Sequence, residues 1–257
     1  LKADRCQILK DVDGVFTANP RVVPSARKLD EIAYEEMLEL ASAGSEVLQS
    51  RAVEFAKNYG VVLEVLSSFE VKPGTLVREE DKQMEQMIIR GIAADKNQAK
   101  ATLLGVPDTP GVAARIFKAL AAANINVDMI VQNVSAAGVT DVSFTVAKDD
   151  INKTKRTIEP LVKEIKAAGL NFDGDIAKVS LVGVGMKSHS GVAYKMFDVL
   201  AANRINIEMI STSEIKISVA IRAKDADQAV RALHDAFGMG KPAPKKKAAK
   251  KAAAKKK

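Results

Sequence analysis

The chain holds 257 residues, 47% hydrophobic and 28% charged, with 15 Gly, 8 Pro, one Cys, no Trp and a net charge of +7. That length exceeds one small module and fits two or three compact units. A single cysteine excludes a disulfide framework and fits a reducing, cytoplasmic setting, and no apolar run nears the roughly 18 residues of a membrane span.

The chain opens at Leu1 directly into LKADRCQILKDVDGVFTANPR, which reads as the interior of a longer protein. Further on, MIIRGIA at Met87–Ala93 is a strand without an obvious partner. Ala101–Val106 is a short apolar strand ending in the turn Pro107-Asp108-Thr109-Pro110-Gly111. Val112, Ala113, Ile116, Phe117 and Leu120 then recur at helical spacing. Ile125–Val134 and Val139–Ala147 are β-rich and separated by SAAG, a hairpin signal. Ile151, Thr154, Ile158, Leu161 and Ile165 mark a second helix, which Pro160 is suited to kink or divide. Leu170–Phe172 reads as a closing strand, completing the βαββαβ order of a ferredoxin-like module.

The pattern then recurs. Gly191–Ile210 (GVAYKMFDVLAANRINIEMI) matches Gly111–Ile130 (GVAARIFKALAAANINVDMI) at an offset of 80 residues, with 11 of 20 positions identical. Two unrelated amphipathic helices would not share the following IN-[VI]-[DE]-MI strand entry, so a supersecondary unit is duplicated. The second copy has strands at Val179–Gly183, Ile205–Ser211 and Ile215–Ile221, and helices at Gly191–Ala202 and Ala226–Phe237. It ends one strand short, and Met87–Ala93 is predicted to supply that strand, so that the two modules interleave. The expected fold is α/β (α+β), with boundaries at 1–80, 84–98 (linker and completing strand), 99–174, 175–239 and 241–257.

The last of these explains the charge. Residues 241–257 (KPAPKKKAAKKAAAKKK) hold nine Lys and no acid, leaving 30 basic residues against 32 acidic in the body. Such a tail has little to bury and is predicted disordered. It offers phosphate polymers only non-specific, salt-sensitive attraction, with no aromatic residue to stack bases. Three other signals carry little. Ser188-His189-Ser190 lacks an orienting acid for nucleophilic catalysis, and His189, His234 and Cys6 lack metal-ligand spacing. Cys6 reads as a small buried residue, and Met84, Met87, Met129, Met186, Met196 and Met209 as core or interface filler.

Paired ferredoxin-like modules resemble ACT domains, and the match is closer than fold. LLGVPDTPGVAARIFKALAAANINVDMIVQNVS and KVSLVGVGMKSHSGVAYKMFDVLAANRINIEMISTSEIKISV resemble the regulatory region of aspartate kinases. DVDGVFTANPRVVPSARKLDEIAYEEMLELASAGSEVLQSRAVEFA resembles the end of that family's amino-acid-kinase domain, so that the resemblance covers roughly Lys2 to Met239. It implies phosphorylation of the aspartate β-carboxylate by ATP with Mg²⁺, and feedback inhibition by lysine, threonine or both. The family's N-terminal lysine- and glycine-rich phosphate cradle has no counterpart here, so the chain is expected to be an inactive fragment carrying the sensing region. A stand-alone regulatory subunit is the alternative, and a polyanion-binding protein acting through the tail a remote one.

The resemblance places Asp11, Phe16 and Arg21 at the nucleotide, without catalytic residues. Lys10, Asn19 and Glu46 stand where the family has Thr, Asp and Lys, and an acid at 46 would repel phosphate. For the effector it points to Asp108, Gly111, Ala113, Asn126, Val127, Asp128, Gln132, Ser135 and Ser143. From the second module, contributed by another chain of a homodimer, come Val192, Asn206, Ile207, Thr212 and Ser213. Physical chemistry favours the first turn: an amino acid needs an acid for its ammonium and helix N–H groups for its carboxylate. Asp108 is equally suited to cap the helix. The second turn, GMKSHSG, has Lys187 and His189 in place of an acid and suits an ammonium poorly.

Overall fold

The computed structural model describes residues 5–81, 84, 87–133 and 138–240. The lysine-rich residues 241–257 lie outside them. Among the described residues no helix is long and apolar enough to cross a membrane.

The N-terminal part builds a four-stranded sheet from β1 (Cys6–Lys10), β2 (Glu31–Ala33), β3 (Leu63–Ser67) and β4 (Thr75–Arg78), ordered β1-β3-β4-β2. β1 runs parallel to β3 and β2 to β4, while β3 and β4 are antiparallel. Helices α1 (Tyr34–Ser42) and α2 (Ser50–Asn58) bury Met37, Leu40, Val53 and Ala56 with Leu63, Val65 and Val77 of the strands. Cys6 is exposed, contrary to the sequence expectation. It lies on an edge strand paired only with β3 among the described residues, so little covers it.

The remaining strands form one antiparallel sheet ordered β6-β7-β5-β8-β10-β9. Two long strands run through its centre: β5 (Gly91–Pro107) and β8 (Gly169–Val182). Gly91, Ile92 and Ala93 oppose Val182, Leu181 and Ser180, whereas Lys100 and Leu104 oppose Asp173 and Gly169. Each central strand therefore serves both repeats, and the interleaving holds. The sequence reading split each of them in two. Its reason is visible in β5: Ile92 packs with the second repeat's core, while Ala99, Ala101 and Leu103 pack with the first. The inward set changes from even to odd numbers across register shifts between Asp95 and Lys100. A bulge of this kind inverts the alternation that marks a continuous strand. The added strand also starts at Gly91 rather than Met87, because Arg90 is drawn inward to Glu36.

The first repeat adds α3 (Val112–Ala122), β6 (Val127–Gln132), β7 (Val139–Ala147) and α4 (Ile151–Glu164), and Pro160 sits within α4 without dividing it. The second adds α5 (Val192–Ala202), β9 (Met209–Thr212), β10 (Lys216–Arg222) and α6 (Ala226–Ala236). On the other face of the sheet, Met129, Ile176, Met209 and Ala220 form a small cluster, shared by the two edge strands β6 and β9. The sheet must curl strongly for its two edges to meet there.

Helix α1 packs on the second repeat's end of that face, where Ala93 and Val182 join its apolar cluster. At its start, Glu36 is fully buried and ion-paired with Arg90 at 3.1 Å. Glu36 also accepts the N–H of Ala33, closing the helix's first turn, and that of Val184. The backbones are tightly apposed here: a Cβ on Gly183 would stand 2.3 Å from the Ile88 carbonyl oxygen.

Candidate ligand cavity at the turn of the first repeat

The turn after β5 is shaped by its own backbone. Asp141 accepts the N–H of Gly105 at 2.8 Å across the bulge at the strand's end, and Asp108 donates its N–H to the Gly138 carbonyl at 2.9 Å. Gly111 precedes α3 with φ of +93°, a left-handed conformation that a side chain would strain. No side chain caps the helix. The Val112 N–H is taken by the Thr109 carbonyl at 3.3 Å, and no side chain takes those that follow it, with the positive end of the helix dipole behind them.

Around this turn lies a cavity of about 310 Å³ lined by Pro107–Gly111, Val112 and Ala113, with Val106, Val142 and Gln132 completing the wall. The lining combines an apolar surface, one carboxylate, one carboxamide and the helix start. Among the described residues, the Asp108 carboxylate has no hydrogen bond or ion pair. It is free to take an ammonium.

Of the residues the resemblance pointed to, Asp108, Gly111, Ala113 and Gln132 line this cavity together. Asn126 is exposed and Val127 is half-buried against the first repeat's core. Asp128 is turned away and ion-paired with Lys178. Ser143 Oγ lies 3.0 Å from Thr102 Oγ1, on the face opposite Val142. Ser135 lies outside the described residues. Val192 and Ile207 pack with the second repeat's core, and Asn206, Thr212 and Ser213 are exposed; none of the five lines this cavity within the chain. Sequence reasoning placed the site at the turn Pro107–Gly111 but missed Val106, Val112 and Val142 as part of its wall. Val142 is legible only from pairing, since the register sets it opposite Gln132.

The equivalent turn of the second repeat is engaged by the chain itself. Val184 N–H is taken by Glu36, Lys187 Nζ lies 3.7 Å from Glu80, and His189 Nδ1 is 2.8 Å from the Gly185 carbonyl. An internal carboxylate thus holds the backbone N–H just ahead of this turn, while α5, like α3, starts without a side-chain cap after a left-handed glycine, Gly191.

The nucleotide-side residues are more dispersed. Asp11 follows β1 and is exposed, Phe16 is half-buried and bridges Lys28, and Arg21 is exposed. Asn19 Oδ1 accepts the Arg21 N–H at 2.9 Å, so the asparagine still closes a local turn. Lys28 is occupied by the Pro73 carbonyl. Among the described residues no three His, Cys, Asp or Glu side chains gather as a metal site. These dispersed side chains fit a nucleotide only in part, with Lys10 the cation that ends β1.

The same loop is anchored to α6. His234 is fully buried, with Nε2 3.0 Å from Thr17 Oγ1. Burial lowers its pKa; the Asp235 carboxylate opposes that shift and the Arg27 guanidinium adds to it. The unfolded chain takes up a proton near the ordinary value of about 6.5, which the native histidine resists. Unfolding therefore absorbs a proton just below that pH, and stability falls with the pH. The Tm advantage of the wild type over His234→Gln is expected to shrink between pH 7.5 and pH 5, read by thermal melts. An advantage that grows on acidification would refute it.

Comparison with known proteins places these features in context. Residues 1–67 match the amino acid kinase family, and residues 102–160 and 179–237 each match the ACT domain. The chain is 56% identical over 244 residues to an aspartate kinase of Stutzerimonas stutzeri, covering 95% of this chain and 59% of that protein. It spans about three fifths of the length of such curated relatives. It is 45% identical to the regulatory subunit of aspartate kinase from Thermus thermophilus in a ligand-free crystal structure (TM-score 0.56), covering 58% of this chain and 99% of that one. A crystal structure of E. coli aspartokinase III with lysine and aspartate has 30% identity and a TM-score of 0.72, covering 91% of this chain and 52% of that one.

Proposed function

Because this chain belongs to the aspartate kinase family, we propose that it is the amino-acid-sensing part of an enzyme that phosphorylates the β-carboxylate of L-aspartate with ATP and Mg²⁺. The effector is L-lysine or L-threonine, bound at the cavity of the first repeat. One observation carries this reading. The cavity joins an uncapped helix start to an unpaired Asp108 carboxylate, a combination that answers both charges of a free amino acid. The lysine held by the E. coli structure supports that choice of ligand. The second repeat's turn, drawn on by Glu36 and Glu80, serves attachment to the kinase portion. In the homodimer this reading requires, residues such as Asn206, Ile207, Thr212 and Ser213 reach the cavity from the other chain.

Asp108→Ala is expected to weaken binding of lysine or threonine by at least about tenfold, roughly 1.4 kcal/mol, in calorimetric titration. Unchanged affinity for both amino acids would remove Asp108 from the site. The near-complete match to a regulatory subunit favours a second reading, sensing without catalysis in complex with a catalytic chain. Both readings share the same cavity.

A further inference from the structure

Helix α1 is gripped at both ends by the second repeat, and the grip at its far end is tied through Lys178 to the first repeat. At its start, Glu36 takes the N–H of Val184 in the second repeat. At its end, the Ser42 carbonyl accepts Lys178 Nζ at 3.2 Å, and the same ammonium is ion-paired with Asp128 of β6, in the first repeat. Lys178 sits inside β8 between Asp95 and Ala220 of the flanking strands, with its side chain 3% exposed. A buried ammonium is held only by its partners, because the surroundings solvate it poorly. The carbonyl end of a helix, with its partial negative charge, is a natural partner for a cation.

We propose that Lys178 is the residue through which occupancy of the first repeat's cavity reaches α1, an inference that rests on reading that cavity as the effector site. The two features share one strand. Gln132 lines the cavity from β6, and Asp128 holds the lysine beyond the register shift between Val127 and Ile130. Both residues lie on β6, which is laddered to β7 among the described residues, so a shift of the strand at Gln132 is carried along it to Asp128. Displacing Asp128 then changes what remains of Lys178 for Ser42, because a single ammonium serves both. The duplication supplies an internal contrast. Glu208, the counterpart of Asp128, pairs with Lys100 and Arg222 within the sheet and not with a lysine that reaches α1. Among the described residues this connection belongs to the first repeat, the one that carries the cavity at Asp108.

Hydrogen exchange of the full chain, read at Ala43 and Ser45 whose N–H groups close the end of α1, tests the relay. Without ligand, Asp128→Asn is expected to speed exchange there about tenfold, as Lys178→Met does, and the double variant to exchange no faster than Lys178→Met. Unchanged exchange in Asp128→Asn, a substitution that keeps side-chain shape at a partly exposed position, would overturn the relay. With saturating L-lysine or L-threonine, exchange at these amides is expected to change in the wild type. In Lys178→Met, with calorimetry still registering binding, that change should vanish; its persistence would also overturn the relay. Failure of both amino acids to bind the wild type would overturn the effector-site reading, while the ligand-free Asp128→Asn comparison still decides the relay.

Discussion

Glu36→Ala is expected to lower the unfolding free energy by about 3–5 kcal/mol, the cost of leaving one partner of a buried ion pair uncompensated. Three groups lose their acceptor together: Arg90 Nε and the N–H groups of Ala33 and Val184. None can turn to water, because Glu36 is fully buried and the Arg90 side chain is only 5% exposed. Urea unfolding followed by circular dichroism measures the loss, and a value below about 1 kcal/mol would show the pair to be dispensable. Replacing both partners, as Glu36→Met with Arg90→Met, should cost much less than Glu36→Ala, since no orphan charge remains. The Ala33 and Val184 N–H groups would still lack their acceptor, so recovery should be incomplete.

Phe144→Ala should cost a similar amount, about 3–5 kcal/mol, through the cavity it leaves. Phe144 is fully buried on β7 and meets the Phe117 ring edge-on, with centroids 5.8 Å apart. It lies two residues from Val142, which lines the cavity of the first repeat, and opposite Ile130 of β6. Its loss therefore loosens the strand pair that positions Gln132, and effector affinity should fall along with stability. Phe144→Leu keeps most of the volume and is expected to cost about 1–1.5 kcal/mol. Equal losses for Leu and Ala in urea unfolding would argue against packing as the cause.

Much of this was legible in the linear pattern. The period of 3.6 over Val112–Leu120 and its copy 80 residues later follows from each helix burying one face, and the same positions line the two cores. Gly111 and Asp108 were legible for a local reason: a left-handed residue and an acid beside a helix start identify themselves by type. The missing strand of the second repeat was likewise countable from the duplication.

Other features depend on partners remote in sequence. Asp128 looks like a ligand residue in the chain, yet the fold gives it to Lys178, 50 residues away. Val142 enters the cavity through its pairing with Gln132, and Glu36 meets Val184 across 148 residues. No window of sequence contains such pairs. The fusion of two short strands into β5 was hidden because a bulge inverts the alternation at Asp95–Lys100.

The sequence by itself determined the repeats, their helices, the turn Pro107–Gly111 with its acid and glycine, and the gathering of nine Lys without an acid in residues 241–257. These are properties of residue type and spacing, which local sterics and the burial of one face are enough to set. Only the tertiary structure decided that two central strands each serve both repeats, that Glu36 holds the Val184 N–H ahead of the second turn, and that Lys178 bridges Asp128 and α1. Those outcomes arise from desolvated charges and backbone groups finding partners, and a buried polar group takes whichever partner the fold brings within reach.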